Sequence, residues 1–118
     1  MEGIRLETQL NEINGTNILD VSGEIDVYTA PQFKDAVNTI IAGGQKHLVV
    51  NMRNVTYMDS SGFGVLLSAT RRLRPEGGTV NLVEVSGAID RILRITKLNT
   101  VFATYDTVDD ALAAAESS

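Results

Sequence analysis

The sequence has no cysteine and a single histidine, His47. The first absence excludes disulfides, thiol catalysis and cysteine-based metal sites. The second leaves a zinc ion short of the several nitrogen or sulfur ligands it needs, so no metal site is expected. No apolar run approaches bilayer-spanning length. Met1 to Asn11 alternates polar and apolar residues and lacks the apolar core of a signal peptide, which makes the cytoplasm the default location. Positive charge is also scarce. Ten Lys and Arg stand against 15 Asp and Glu, for a net charge of −5. That sign disfavours a nucleic-acid backbone or an anionic membrane as partner. It suits a soluble chain whose partner presents a basic face.

What is present is the composition of a globular protein. The 118 residues are 43% hydrophobic and 21% charged, enough for one core and one domain over 1–118. Ile4, Leu6, Thr8 and Leu10 alternate with polar neighbours, Asn14-Gly15 marks a tight turn, and Leu19, Val21, Gly23 and Ile25 alternate again. The spacing predicts an antiparallel hairpin over residues 2–25. Thr29, with Gln32 three residues on, reads as a capping box for a first helix. Phe33, Val37, Ile40 and Ile41 form its buried face, and Gly43-Gly44 ends it. "HLVVNM", residues 47–52, reads as a strand covered on both faces. A second helix follows over about 60–73, with Gly62, Leu66, Ala69 and Leu73 on one stripe. "TVNLVEV" (79–85) and "VFATY" (101–105) read as strands. Ser86 and Thr107 cap helices that follow them. The order is β-β-α-β-α-β-α-β-α, an α/β domain with one mixed, mostly parallel sheet.

The stretch "NVTYMDSSGFGVLL", residues 54–67, places Asp59, Ser60, Ser61 and Gly62 where a strand gives way to a helix. In open α/β sheets, sites gather at the carboxyl ends of strands. The plain reading is architectural: Asp59 caps the helix and Gly62 lets it pack closely. A second reading makes Ser60 a phosphoryl acceptor. A helix N-terminus tolerates the added charge, and Asp26, just past the second strand, approaches the same rim. A third makes Ser60 a hydrolytic nucleophile, which needs a nearby base. His47 begins the strand that leads to Ser60, and six strand residues already separate them by roughly 20 Å. The site also lacks the Gly-Lys-Ser/Thr ending of a phosphate-binding loop.

"SGEIDVYTAPQF" (22–33), "VVNMRNVTYMDSSGFGVL" (49–66) and "GGTVNLVEVSGAIDRILRITKLNTVF" (77–102) together resemble the STAS domain, above all the stand-alone bacterial anti-sigma-factor antagonists. The resemblance implies a sheet of four or five strands with about four helices, packed largely on one side. It implies a binding protein rather than an enzyme, with no cofactor of its own. Unphosphorylated, such a protein binds an anti-sigma factor that is itself a serine kinase, and the sigma factor is released. Phosphorylation by that kinase ends the binding, and a PP2C-type phosphatase resets it. By position the acceptor is Ser60, and the partner-binding residues are Asp26, Asp59, Ser60, Ser61 and Gly62. Phe63 stands where the family more often has leucine. The free protein is expected to be a monomer. The alternative implied is a scaffold or sensor subunit of a stress-signalling assembly, with a nucleotide or lipid as possible ligand.

Overall fold

The computed structural model describes residues 5–117, so Ile4 and the start of the expected hairpin lie outside the described residues. Strands β1 (Leu6–Ile13) and β2 (Thr16–Ile25) form an antiparallel hairpin. Its turn is Asn14-Gly15, both at positive φ (53° and 84°), as a two-residue hairpin loop requires. Helix α1 (Ala30–Ala42), strand β3 (His47–Met58), helix α2 (Ser60–Leu73), strand β4 (Thr79–Val83), helix α3 (Gly87–Ile95), strand β5 (Ala103–Tyr105) and helix α4 (Val108–Glu116) follow. The five strands lie in the order β1-β2-β3-β4-β5, parallel from β2 onward.

That strand order decides where the helices go. Each crossover from β2 to β5 steps one place in the same direction. With right-handed crossovers, all three connecting helices must then lie on one face. Phe33 and Val37 of α1, Phe63 and Leu66 of α2, and Ile89 and Leu93 of α3 accordingly share one core with Leu19, Val50 and Leu82 of the sheet. Helix α4 follows the last strand and crosses to the other face, where Ala111 and Leu112 cover Ile18, Val49 and Val83. Beyond α4's reach that face is polar. There Asn51 donates to Asp20 Oδ1 at 2.9 Å, and Asn11 donates to the same carboxylate.

Strand β3 is twice the expected length and carries the site at its far end. It shifts register against β2 between Asp20 and Ser22 and again between Gly23 and Glu24. Each shift inserts an extra residue into β3 and turns the strand. Its core-facing residues therefore run Leu48, Val50, Met52, then Val55 and Met58, a change from a period of two to a period of three. That break is why alternation ended the expected strand at Met52.

The capping box expected at α1 does not form. Thr29 Oγ1 instead donates to the Glu24 carbonyl at 2.7 Å and accepts from Asp26 N at 2.9 Å. Gln32 turns away and donates to the Leu6 carbonyl at 3.2 Å. The entry to α1 is closed by Asp26, whose carboxylate takes the Thr29 amide that the Gln32 side chain would have served, while the Gln32 amide donates to the Thr29 carbonyl at 3.0 Å. Ser86 and Thr107 do cap as expected, accepting from the amides of Ile89 (3.3 Å) and Asp110 (3.0 Å). Val101 and Phe102 fall in the turn before β5, and Ile92 looks outward from α3 while Ile89 and Leu93 are buried.

Candidate functional site

The carboxyl ends of β2 and β3 stop side by side, with Ile25 paired to Met58. The two loops that leave them build the site. On the β3 side, Asp59 has extended backbone and caps α2, its Oδ1 accepting from Ser61 N at 2.8 Å. Its own amide donates to the Ile25 carbonyl at 3.1 Å, which ties the helix start to β2. The carboxylate thus serves the Ser61 amide while the Asp59 carbonyl takes those of Gly62 (3.1 Å) and Phe63 (3.3 Å), which leaves the Ser60 amide as the free donor of the first turn.

Ser60 is the first residue of α2 and is exposed. Among the described residues its hydroxyl makes no hydrogen bond. Ser61, next in the chain, is only partly exposed. Gly62 is buried, and a Cβ there would lie 2.7 Å from Met58 Cγ and 2.8 Å from Ile25 Cγ2. Only glycine lets the first turn of α2 rest on the two strand ends, so Gly62 supports the rim from beneath rather than forming its surface. His47 stands at the opposite end of β3, eleven residues from Met58 and so about 36 Å away along the strand. Its Nδ1 lies 2.7 Å from Thr79 Oγ1. No imidazole is available to Ser60.

On the β2 side, Asp26 Oδ1 accepts from the amides of Tyr28 (2.9 Å) and Thr29 (3.0 Å). Its Oδ2 pairs with the Arg5 guanidinium, which also reaches Glu24 Oε1 at 3.3 Å. Asp26 is therefore a loop organiser already provided with a counter-ion. This tight turn pushes out Val27 (63% exposed) and Tyr28 (81% exposed), while Tyr57 near the end of β3 is 51% exposed. Val27 and Tyr28 thus stand side by side in one turn as an exposed apolar pair.

The sequence reading placed Asp26, Asp59, Ser60, Ser61 and Gly62 together, and all five lie at this rim. It missed Val27, Tyr28, Tyr57 and Arg5. Apolar Val27-Tyr28 in a loop, between an acid and a helix start, was a usable signal. Arg5 was not legible, because its partner lies 21 residues away across a strand pair.

The STAS domain family model matches residues 7–111 of the chain. This chain belongs to the STAS domain family. Among its relatives is the anti-sigma F factor antagonist of Paenibacillus polymyxa, 28% identical over 96% of this chain and 97% of the relative. The anti-sigma-B factor antagonist of Staphylococcus aureus (strain NCTC 8325 / PS 47) is 35% identical over 66% of this chain and 72% of that protein. Among solved structures, an anti-sigma factor antagonist from Mycobacterium paratuberculosis superposes with a TM-score of 0.85 at 32% identity, covering 94% of both chains. As a STAS domain, the chain has the family's five-stranded sheet with helices α1 to α3 on one face. Among the described residues no helix is long and apolar enough to cross a membrane.

Proposed function

We propose that this STAS-domain protein is an anti-sigma-factor antagonist, a regulatory binding protein with no catalysis of its own. Unphosphorylated, it docks an anti-sigma factor with its β2–β3 rim and so frees a sigma factor. The anti-sigma factor is a serine kinase that transfers phosphate to Ser60, and the complex then separates. A PP2C-type phosphatase restores the hydroxyl.

The observation that carries this reading is the state of Ser60: exposed, unbonded, and at the mouth of a fourteen-residue helix. A kinase must reach the oxygen, and the product must not unfold the substrate. Exposure meets the first need and favours Ser60 over the partly covered Ser61. The free Ser60 amide and the dipole of α2 meet the second, since they favour negative charge at this end of the helix without breaking local structure. The modification adds about −1.5 to −2 charges at neutral pH. That charge lands next to Asp59, at the rim that also exposes Tyr28 and Tyr57. Names of relatives supply the class of partner, and Val27, Tyr28 and Tyr57 supply apolar anchors of the kind that dominate interfaces.

The test is release by ATP. Wild-type and Ser60→Ala chains are immobilised and loaded from a lysate of the source cell without ATP. Adding ATP and Mg²⁺ is expected to elute the same anti-sigma factor from wild type and to leave it on Ser60→Ala. Equal retention on both baits contradicts the proposal.

A further inference from the structure

The geometry points to Arg5 as the positioning residue of the docking loop, an inference that rests on the reading of this rim as the anti-sigma-factor surface. Arg5 precedes β1 and sits beside the end of β2, where its carbonyl accepts from Glu24 N at 2.8 Å. Its guanidinium lies against both Glu24 and Asp26. Asp26 is the hub of the loop. One oxygen holds the amides of Tyr28 and Thr29, and the other faces Arg5. The Asp26 side chain is 13% exposed, so water alone solvates it poorly. Remove the cation, and a nearly buried carboxylate loses its counter-ion. It then gains by turning outward to water, which releases the two amides.

Arg5 therefore has two effects. It locks the turn that presents Val27 and Tyr28, so a partner meets a pre-formed anchor and little ordering cost remains. It also offsets charge at the right place. Of Glu24, Asp26 and Asp59 at this rim, the first two share Arg5, the one base paired with any of them among the described residues. The unphosphorylated face is thereby less negative than its acids suggest, and a phosphate on Ser60 makes a larger contrast.

The test reads the two amides directly. Residue-resolved hydrogen exchange is measured on Tyr28 and Thr29 in wild type, Arg5→Gln and Arg5→Lys. Exchange is expected to rise about tenfold or more in Arg5→Gln, with Arg5→Lys restoring most of the protection, as local opening governs exchange at such sites. Salt separates charge from mere packing, because screening length falls from about 10 Å at 0.1 M to about 3 Å at 1 M. Exchange at these amides is expected to rise with salt in wild type and stay flat in Arg5→Gln. Unchanged exchange in Arg5→Gln overturns the clamp. In parallel, affinity for the anti-sigma factor retained by the Ser60→Ala bait is expected to fall about tenfold in Arg5→Gln and to recover in Arg5→Lys. Lost protection with unchanged affinity overturns the positioning role. If the bait retains no anti-sigma factor, the reading of Ser60 fails and the docking role falls with it, while the exchange result still decides the clamp.

Discussion

Ser60→Asp is expected to bind the anti-sigma factor at least about 100-fold more weakly than wild type, a loss of about 2.7 kcal/mol. The reason is charge at the centre of a docking surface. Ser60 stands exposed at the start of α2, whose cap residue Asp59 is tied to the end of β2 just before the exposed Val27-Tyr28 turn. A partner that covers those apolar side chains must strip water from whatever occupies position 60. A neutral hydroxyl is cheaply covered, but a carboxylate beside the Asp59 carboxylate is not, because both charges must then be stripped of water together. The variant should fold normally, since an acid in the first turn of a helix is favoured by the dipole. Ser60→Ala removes only a hydroxyl with no intramolecular partner and should bind within a few-fold of wild type. Isothermal titration with the purified partner, beside thermal melts of both variants, measures this. Equal affinity of Ser60→Asp and wild type would exclude Ser60 from the interface.

A second large effect concerns stability. Gly62→Ala is expected to cost about 3 kcal/mol, at the upper end for overpacking in a close-packed interior. The added methyl would meet Met58 Cγ at 2.7 Å, Ile25 Cγ2 at 2.8 Å and Met58 Cε at 2.9 Å. Met58 has a flexible end, but Ile25 is branched and fully buried, so α2 itself must lift at its first turn. Gly64, two residues on in the same helix, is the control. Nothing lies within 4 Å of a Cβ there, and the residue is exposed. Gly64→Ala should stabilise by up to about 1 kcal/mol through helix propensity alone. Thermal melts should separate the two variants, with Gly62→Ala melting about 10 °C below wild type. Equal stability of the two would mean that α2 does not rest on the strand ends as described. Lifting that turn also moves Ser60, so Gly62→Ala should weaken partner binding without touching the binding surface.

The contrast between these glycines shows what a sequence reveals and what it hides. Element order was legible because hydrophobic period changes cleanly from two to 3.6 along most of the chain. The helix stripe of Gly62, Leu66, Ala69 and Leu73 was legible for that reason, and all four are buried. The cap at Asp59 was legible because its acceptor serves an amide two residues away. Whatever depends on neighbours distant in sequence was not. The two register shifts in β3 are set by pairing with β2, and they hid half of that strand. The capping box at Thr29 and Gln32 fitted every local rule. It lost to Leu6, 26 residues from Gln32 and brought to it by the sheet, and to Asp26 and Glu24, which are near Thr29 in sequence but act through a loop conformation that no periodicity reveals. Strand order, and with it the choice of face for α1 to α3, has no local signal at all. At the rim, the short motif around Ser60 was readable, whereas exposure of Tyr28 and Tyr57 follows from how two loops leave paired strands.

The most direct measurement is to locate the phosphate. The purified chain is incubated with the anti-sigma factor eluted by ATP, with fresh ATP and Mg²⁺, and its peptides are mapped by mass spectrometry. A single phosphate on Ser60, with none on Ser61 and none in the Ser60→Ala chain, is the predicted result. A phosphate elsewhere, or a chain that stays unmodified while the complex still separates, would contradict the role given to this hydroxyl.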